Sequence, residues 1–119
     1  NHRSDLIVSA PKDTNWHFIF SGYYTSTNKH FMYLDGVIYT KTPSFLNYKI
    51  DWGNNAFRIA NTRTTSLLSG LIDDIRIYNA ALSSSQIKQN YIAGLNSMLA
   101  NGNMSKEEYN ERINILAKK

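Results

Sequence analysis

Two adjacent carboxylates, Asp73 and Asp74, are the groups in this sequence that most need a chemical explanation. They lie in the run Leu71–Tyr78, which alternates as a strand and so puts Leu71, Asp73, Ile75 and Ile77 on one face. A carboxylate on an apolar face must find partners, because an unpaired buried charge is expensive. Backbone N–H groups, an arginine, or a calcium ion bound through hard oxygen ligands would each serve at Asp73. Asp74 shares the opposite face with Arg76 and Tyr78, where a solvated charge pair is worth little. Being adjacent, the two carboxylates point to opposite faces and cannot act together as acid and nucleophile on a glycosidic bond. There is no Glu before residue 107, no Gly-x-Ser-x-Gly elbow and no phosphate-binding glycine loop. No catalysis is expected on those grounds.

Other candidate groups are aromatic. Tyr23, Tyr24, Tyr48 and Trp52 fall in expected loops, with Asn54, Asn55, Asn61 and Arg63 as polar neighbours in sequence. Aromatic faces stack on sugar rings, and a binding site sets a few polar groups beside apolar walls. Trp52 and Tyr24 are expected to be exposed and, with Asn54 and Arg63, to form a ligand-binding surface. His2, His17 and His30 show no metal-ligand spacing, and His17 is expected to be a hydrogen-bonded structural residue.

The 119 residues suit one domain with a core of ordinary size. No apolar run approaches the 18 residues of a membrane-spanning helix. The absence of cysteine excludes disulfides, thiolate zinc sites and cysteine nucleophiles. The formal charge of +4 is scattered, and only Lys118 and Lys119 are adjacent. A nucleic-acid reader gathers its charge into a stripe, so no nucleic-acid role is expected. The chain opens on Asn1, not Met, and reads as a processed product from which an export signal could have been lost upstream.

Composition changes near residue 80. Thirteen of the fifteen aromatics and both prolines precede it, and Ala, Leu, Ser, Gln, Lys and Glu follow. The first part reads as strands and the second as helices. Strands are expected at Asp5–Ala10, Asn15–Ser21, His30–Leu34, Val37–Lys41, Tyr48–Asp51, Phe57–Ala60 and Leu71–Tyr78. In the second of these, Trp16, Phe18 and Phe20 share a face. Asp35-Gly36 between two strand-like runs predicts a type I′ hairpin. Ser83 and Gln86 fit a capping box with Leu82 and Ile87 as its staple, and Gly94 is the expected stop. A short helix is expected at Leu95–Asn101. A second box at Ser105–Glu108, with Met104 and Tyr109 as staple, opens a helix whose apolar stripe is Tyr109, Ile113 and Leu116.

Read together, Asn15-Trp16-His17-Phe18, Phe31-Met32-Tyr33-Leu34-Asp35-Gly36 and Ser69-Gly70-Leu71-Ile72-Asp73-Asp74-Ile75-Arg76-Ile77-Tyr78-Asn79-Ala80-Ala81-Leu82-Ser83, then Gln86-Ile87 and Tyr91, resemble the laminin-G-like family. That family has the concanavalin A-like jelly-roll fold. The resemblance covers roughly residues 14 to 92. It implies a mostly β architecture of two facing antiparallel sheets, an antiparallel β-sandwich followed here by a C-terminal α-helical hairpin. It also implies a non-catalytic recognition or adhesion module on bacterial surface and secreted proteins, binding glycan or protein. Family members often carry calcium, which adds to the calcium reading of Asp73.

About a dozen residues precede Asn15, where the family has several strands. The early strands are therefore expected on a separate chain or outside this stretch of sequence, unless the sandwich is minimal and rearranged. The division expected is a sandwich with its closing helix over residues 1–93 and a helical tail over 94–119. The tail is similar to the short C-terminal helical hairpins called SHOCT, which implies oligomerisation or docking through Tyr109, Ile113 and Leu116. An alternative function follows: a structural subunit of a pilus or other surface filament, completed by a partner chain or by self-assembly through sheet edges and the tail.

Overall fold

The structure is a computed structural model that describes residues 6, 8, 9, 11–43 and 69–117. The chain divides into two compact units, one formed by Asn1–Tyr48 with Ala80–Lys119, the other by Lys49–Asn79.

The first unit contains a three-stranded antiparallel meander, β1 (Ile19–Tyr24), β2 (Lys29–Leu34) and β3 (Val37–Lys41), in spatial order β1-β2-β3. Tyr24 pairs with Lys29 and Ile19 with Leu34 across the first hairpin, and Leu34 pairs with Val37 across the second. The second hairpin turns on Asp35 and Gly36, both at positive φ (47° and 94°), as its dipeptide predicts. Gly36 is required there twice over, since a Cβ on it would also stand 2.9 Å from Leu116 Cδ2.

β1 starts four residues later than expected and runs on to Tyr24. The backbone ahead of it is occupied otherwise. Phe18 N–H donates to a side chain, Asp35 Oδ1, and the Trp16 carbonyl accepts from Arg112.

Two helices follow, α1 (Ser84–Ala100) and α2 (Lys106–Ala117). The box at the start of α1 is complete, with Gln86 N–H donating to Ser83 Oγ (3.1 Å) and Ser83 N–H to Gln86 Oε1 (2.9 Å). The helix does not stop at Gly94 but continues through it for 17 residues in all, so the expected boundary at 93/94 falls inside one helix. The reason is the apolar stripe. Ile87, Tyr91 and Leu95 recur every fourth residue and are all buried. Their burial, at about 2 kcal/mol per side chain, outweighs the roughly 1 kcal/mol cost of an interior glycine. Termination comes at Gly102, where Asn103 N–H reaches Met98 O (2.9 Å) and Gly102 N–H reaches Leu99 O (3.2 Å). That pair of bonds is a Schellman motif. At the start of α2, Ser105 Oγ accepts from Glu108 N–H, while the Glu108 carboxylate turns to Arg112.

One face of the meander is covered by the helices. Phe31, Tyr33, Ile87, Tyr91, Leu95, Met104 and Leu116 form the buried cluster, with Phe18, Phe20, Tyr24, Leu82, Met98, Tyr109 and Ile113 packed around it. The aromatic contacts are specific: Phe18 meets Tyr33 edge-on, Phe20 and Tyr24 stack on Phe31, and Tyr33 meets Tyr91 edge-on. The described residues thus give one antiparallel sheet and a helical layer, consistent with a concanavalin A-like fold. The second facing sheet of a full sandwich is not among them.

In the second unit the described part is residues 69–79. Leu71–Tyr78, expected as a strand, carries no sheet pairing there and is exposed throughout, with Leu71 at 82% and Ile77 at 72%. Asp74 has φ 55°, a left-handed step that breaks the two-residue alternation a strand needs. The expected strands Tyr48–Asp51 and Phe57–Ala60 lie outside the described residues, and Asp5–Ala10 is described only at 6, 8 and 9.

Candidate functional site

Among the described residues of the first unit, a polar cluster gathers on the carboxylate of Asp35, placed by the β2–β3 turn. Its Oδ1 accepts from Phe18 N–H (2.8 Å) and from Arg112 Nη1 (3.2 Å). Its Oδ2 lies 2.5 Å from His17 Nδ1, and the other imidazole nitrogen, Nε2, lies 2.7 Å from Asp13 Oδ1. Asp13 Oδ1 also accepts from Asn15 N–H (2.8 Å). Arg112, on α2, completes the network by donating through Nη2 to Trp16 O and to Glu108 Oε1, both at 2.8 Å. Three separate stretches of chain therefore meet at one ion cluster: the segment before β1, the hairpin turn and the last helix.

The surroundings set the charges. Burial alone would push the His17 imidazolium down, but its bonds to Asp35 and Asp13 and their charges outweigh that, and its pKa is raised. The Asn15 N–H and then His17 hold the Asp13 carboxyl below its usual range. Burial, with Tyr91 and Asp35 nearby, pushes the Tyr33 hydroxyl up to about 12, so it stays neutral. Arg112 is only 9% exposed, and a guanidinium so buried is tolerable because Asp35 and Glu108 pair with it.

Beside the cluster runs an open groove of about 520 Å³ lined by Asn15, His17, Asp35, Ser105 and α2 residues including Glu107, Glu111 and Ile115. Its lining is rich in acceptors, which suits hydroxyl or ammonium donors. Trp16, next to Asn15 in sequence, is 39% exposed.

The expected site residues fare differently. Tyr24 is not in an open loop. It ends β1, half-buried, its hydroxyl donating to Leu82 O (2.8 Å) and its ring stacked on Phe31 at 4.5 Å. An aromatic flanking a core ring removes more apolar area from water by packing on it than by standing free. Trp52, Asn54 and Arg63 lie outside the described residues. Asp73 is exposed rather than on a buried face, and its Oδ1 accepts from Asp74 N–H (2.8 Å), while Asp74 pairs with Arg76 at the surface. Among the described residues no group of three or more His, Asp or Glu side chains is arranged to hold a metal. Tyr109, Ile113 and Leu116 belong to the chain's own core, with Leu116 buried and Tyr109 bonded to Asn96 Oδ1 (2.6 Å). Of the stripe expected as an oligomerisation face, Leu116 is thus buried in the chain's own core, while Tyr109 and Ile113 are half-buried at its margin.

Sequence reasoning took Asp35 for a turn residue and passed over Arg112. A signal for the latter exists. Arg112 sits at i+3 of the stripe Tyr109, Ile113, Leu116, and a charge inside an apolar stripe must be paired.

The family model described as the concanavalin A-like lectin/glucanases superfamily, of laminin G type, matches residues 4–88. The chain belongs to this family. The matched stretch of this laminin-G-like chain contains Asp13, His17 and Asp35, while Arg112 and the whole of α2 lie beyond it. No curated protein and no solved structure matches the chain. Among the described residues no helix is long and apolar enough to cross a membrane.

Proposed function

We propose that this laminin-G-like chain is a non-catalytic recognition module, acting outside the cell and adhering to a glycan or a surface protein. The observation that carries this reading is the match of residues 4–88 to a lectin-type family. The acceptor-lined groove supports it, since sugar hydroxyls are donors in need of such partners. Trp52, Asn54 and Arg63 are the proposed loop contacts. Tyr24 supports the end of β1 and is not itself an open platform.

Arrays of immobilised glycans and surface proteins test this with the intact chain. The variants are Trp52→Ala with Arg63→Ala, and Glu107→Gln with Glu111→Gln, each in calcium and in chelator. Specific retention is expected, weakened about tenfold or more by one of the two pairs. Chelator-sensitive binding abolished by Asp73→Asn would assign a calcium ion to Asp73. Retention on nothing, or release of sugar from an arrayed glycan, would overturn the proposal.

A second reading, a surface-filament subunit whose sandwich another chain completes, draws on the exposed apolar run Leu71–Tyr78. Such edges and faces recruit partners. Light scattering on the purified chain decides: a monomer at every concentration argues against it, and ordered polymers argue for it.

A further inference from the structure

We infer that His17 is a proton-operated clasp that fastens one wall of the groove, the segment carrying Asp13 and Asn15, to the rest of the first unit. The inference concerns this conformational device and holds whatever ligand the module takes.

The geometry requires a proton. Both imidazole nitrogens face carboxylate oxygens, Nδ1 at 2.5 Å from Asp35 and Nε2 at 2.7 Å from Asp13. A carboxylate only accepts, and a neutral imidazole has one N–H, so both bonds exist together only in the imidazolium. When the proton leaves, one contact becomes a lone pair facing a carboxylate.

The contact that yields is fixed by the neighbours. Asp35 has a side chain 21% exposed and is held additionally by Phe18 N–H and Arg112, so it cannot turn away. The Asp13 side chain is 46% exposed, on a segment with no ladder bonds. The remaining N–H therefore stays on Nδ1 with Asp35, and Asp13 lets go. Asp13 caps Asn15 N–H and Asn15 lines the groove, so the groove wall is released with it. Helix α2 stays docked, because the Arg112–Asp35 pair does not depend on the imidazole.

Every charged group around His17 enters the balance. Asp13 faces it from its own segment and Asp35 from the hairpin, and both favour the proton. From α2, Arg112 stands on the far side of Asp35 with its own partner Glu108, and Glu107 and Glu111 line the same groove. Carboxylates outnumber the guanidinium, and the histidine titrates above its ordinary value.

The test follows the full chain by NMR from pH 5 to 8. It reads the two imidazole nitrogens of His17, hydrogen exchange at Asn15 corrected for intrinsic rate, and the Leu116 methyls. The expected result is loss of the Nε2 proton first, with Asn15 exchange rising about tenfold at the same midpoint, the scale of one charge-assisted hydrogen bond. The Leu116 methyls stay unchanged. Asp13→Asn, an exposed and mild substitution, should lower the midpoint and abolish the Asn15 step, and His17→Gln, which removes the titrating group, should abolish that step as well. Asn15 protection that ignores the His17 midpoint would overturn the inference. So would loss of the Leu116 signals at that midpoint, which would make the effect global unfolding.

Discussion

The guanidinium of Arg112 lies 3.2 Å from the carboxylate of Asp35, a residue 77 positions earlier in the chain. This contact joins the last helix, which lies beyond the family match, to the hairpin turn inside it. The C-terminal helices are thus part of the fold's own core and not an appendage.

Removing the cation should be costly. Arg112→Ala leaves Asp35, Glu108 and the Trp16 carbonyl without that donor in a largely buried place. A loss of about 2–3 kcal/mol is expected. Arg112→Lys keeps the charge but cannot span three acceptors, and should lose about half as much. Urea unfolding midpoints at constant slope read both.

Stability should depend on pH through two groups of opposite sign. His17 has a raised pKa in the folded chain, so its contribution is fully present below about 6.5, its ordinary value, and is lost as pH rises through the raised one. Asp13 has a lowered pKa, so its contribution is present above about 3.8 and is lost as pH falls through the lowered one. The melting temperature should be highest between these limits and fall toward pH 8. In His17→Gln the alkaline fall should disappear. A wild-type midpoint that climbs from pH 6 to 8 would contradict the assignment.

Two glycines with similar backbone should respond differently. Gly102→Ala meets only the strain of φ 74° and should cost about 1 kcal/mol. Gly36→Ala meets φ 94° and the Leu116 side chain at 2.9 Å, and should cost about 1–3 kcal/mol more. Thermal unfolding of the pair isolates the contact between hairpin and α2. Equal losses would place Leu116 elsewhere.

Gly94→Ala should stabilise the chain by about 1 kcal/mol, because the position is inside α1, exposed, and has nothing within 4 Å of an added Cβ. Were the helix to end there, alanine would destabilise. The same denaturation assay gives the sign.

Much of this was legible because the signals are local. The Asp35-Gly36 turn, the Ser83 box and the second helix start each rest on a few adjacent residues, and all stand in the structure. The family was legible from motifs spread over the matched residues. Gly94 misled because punctuation is local while the stripe Ile87, Tyr91, Leu95 is decided by what packs on it. Leu71–Tyr78 misled because alternation describes a strand only if a neighbouring strand pairs with it, and among the described residues the run is not part of a strand ladder. The Asp35–Arg112 pair joins residues too far apart for any spacing rule, and only the charge within the tail's apolar stripe pointed to it.

The packing of the C-terminal helix against the hairpin of the same chain is the central contact of the first unit. A nuclear Overhauser spectrum of the dilute monomer tests this most directly. Cross-peaks from the Leu116 methyls to the Gly36 α-protons and to the Tyr91 ring are expected, since the added Cβ at Gly36 would lie 2.9 Å from Leu116 Cδ2 and 3.5 Å from the Tyr91 ring. Absence of both, with α2 amides exchanging as a free helix would, contradicts it.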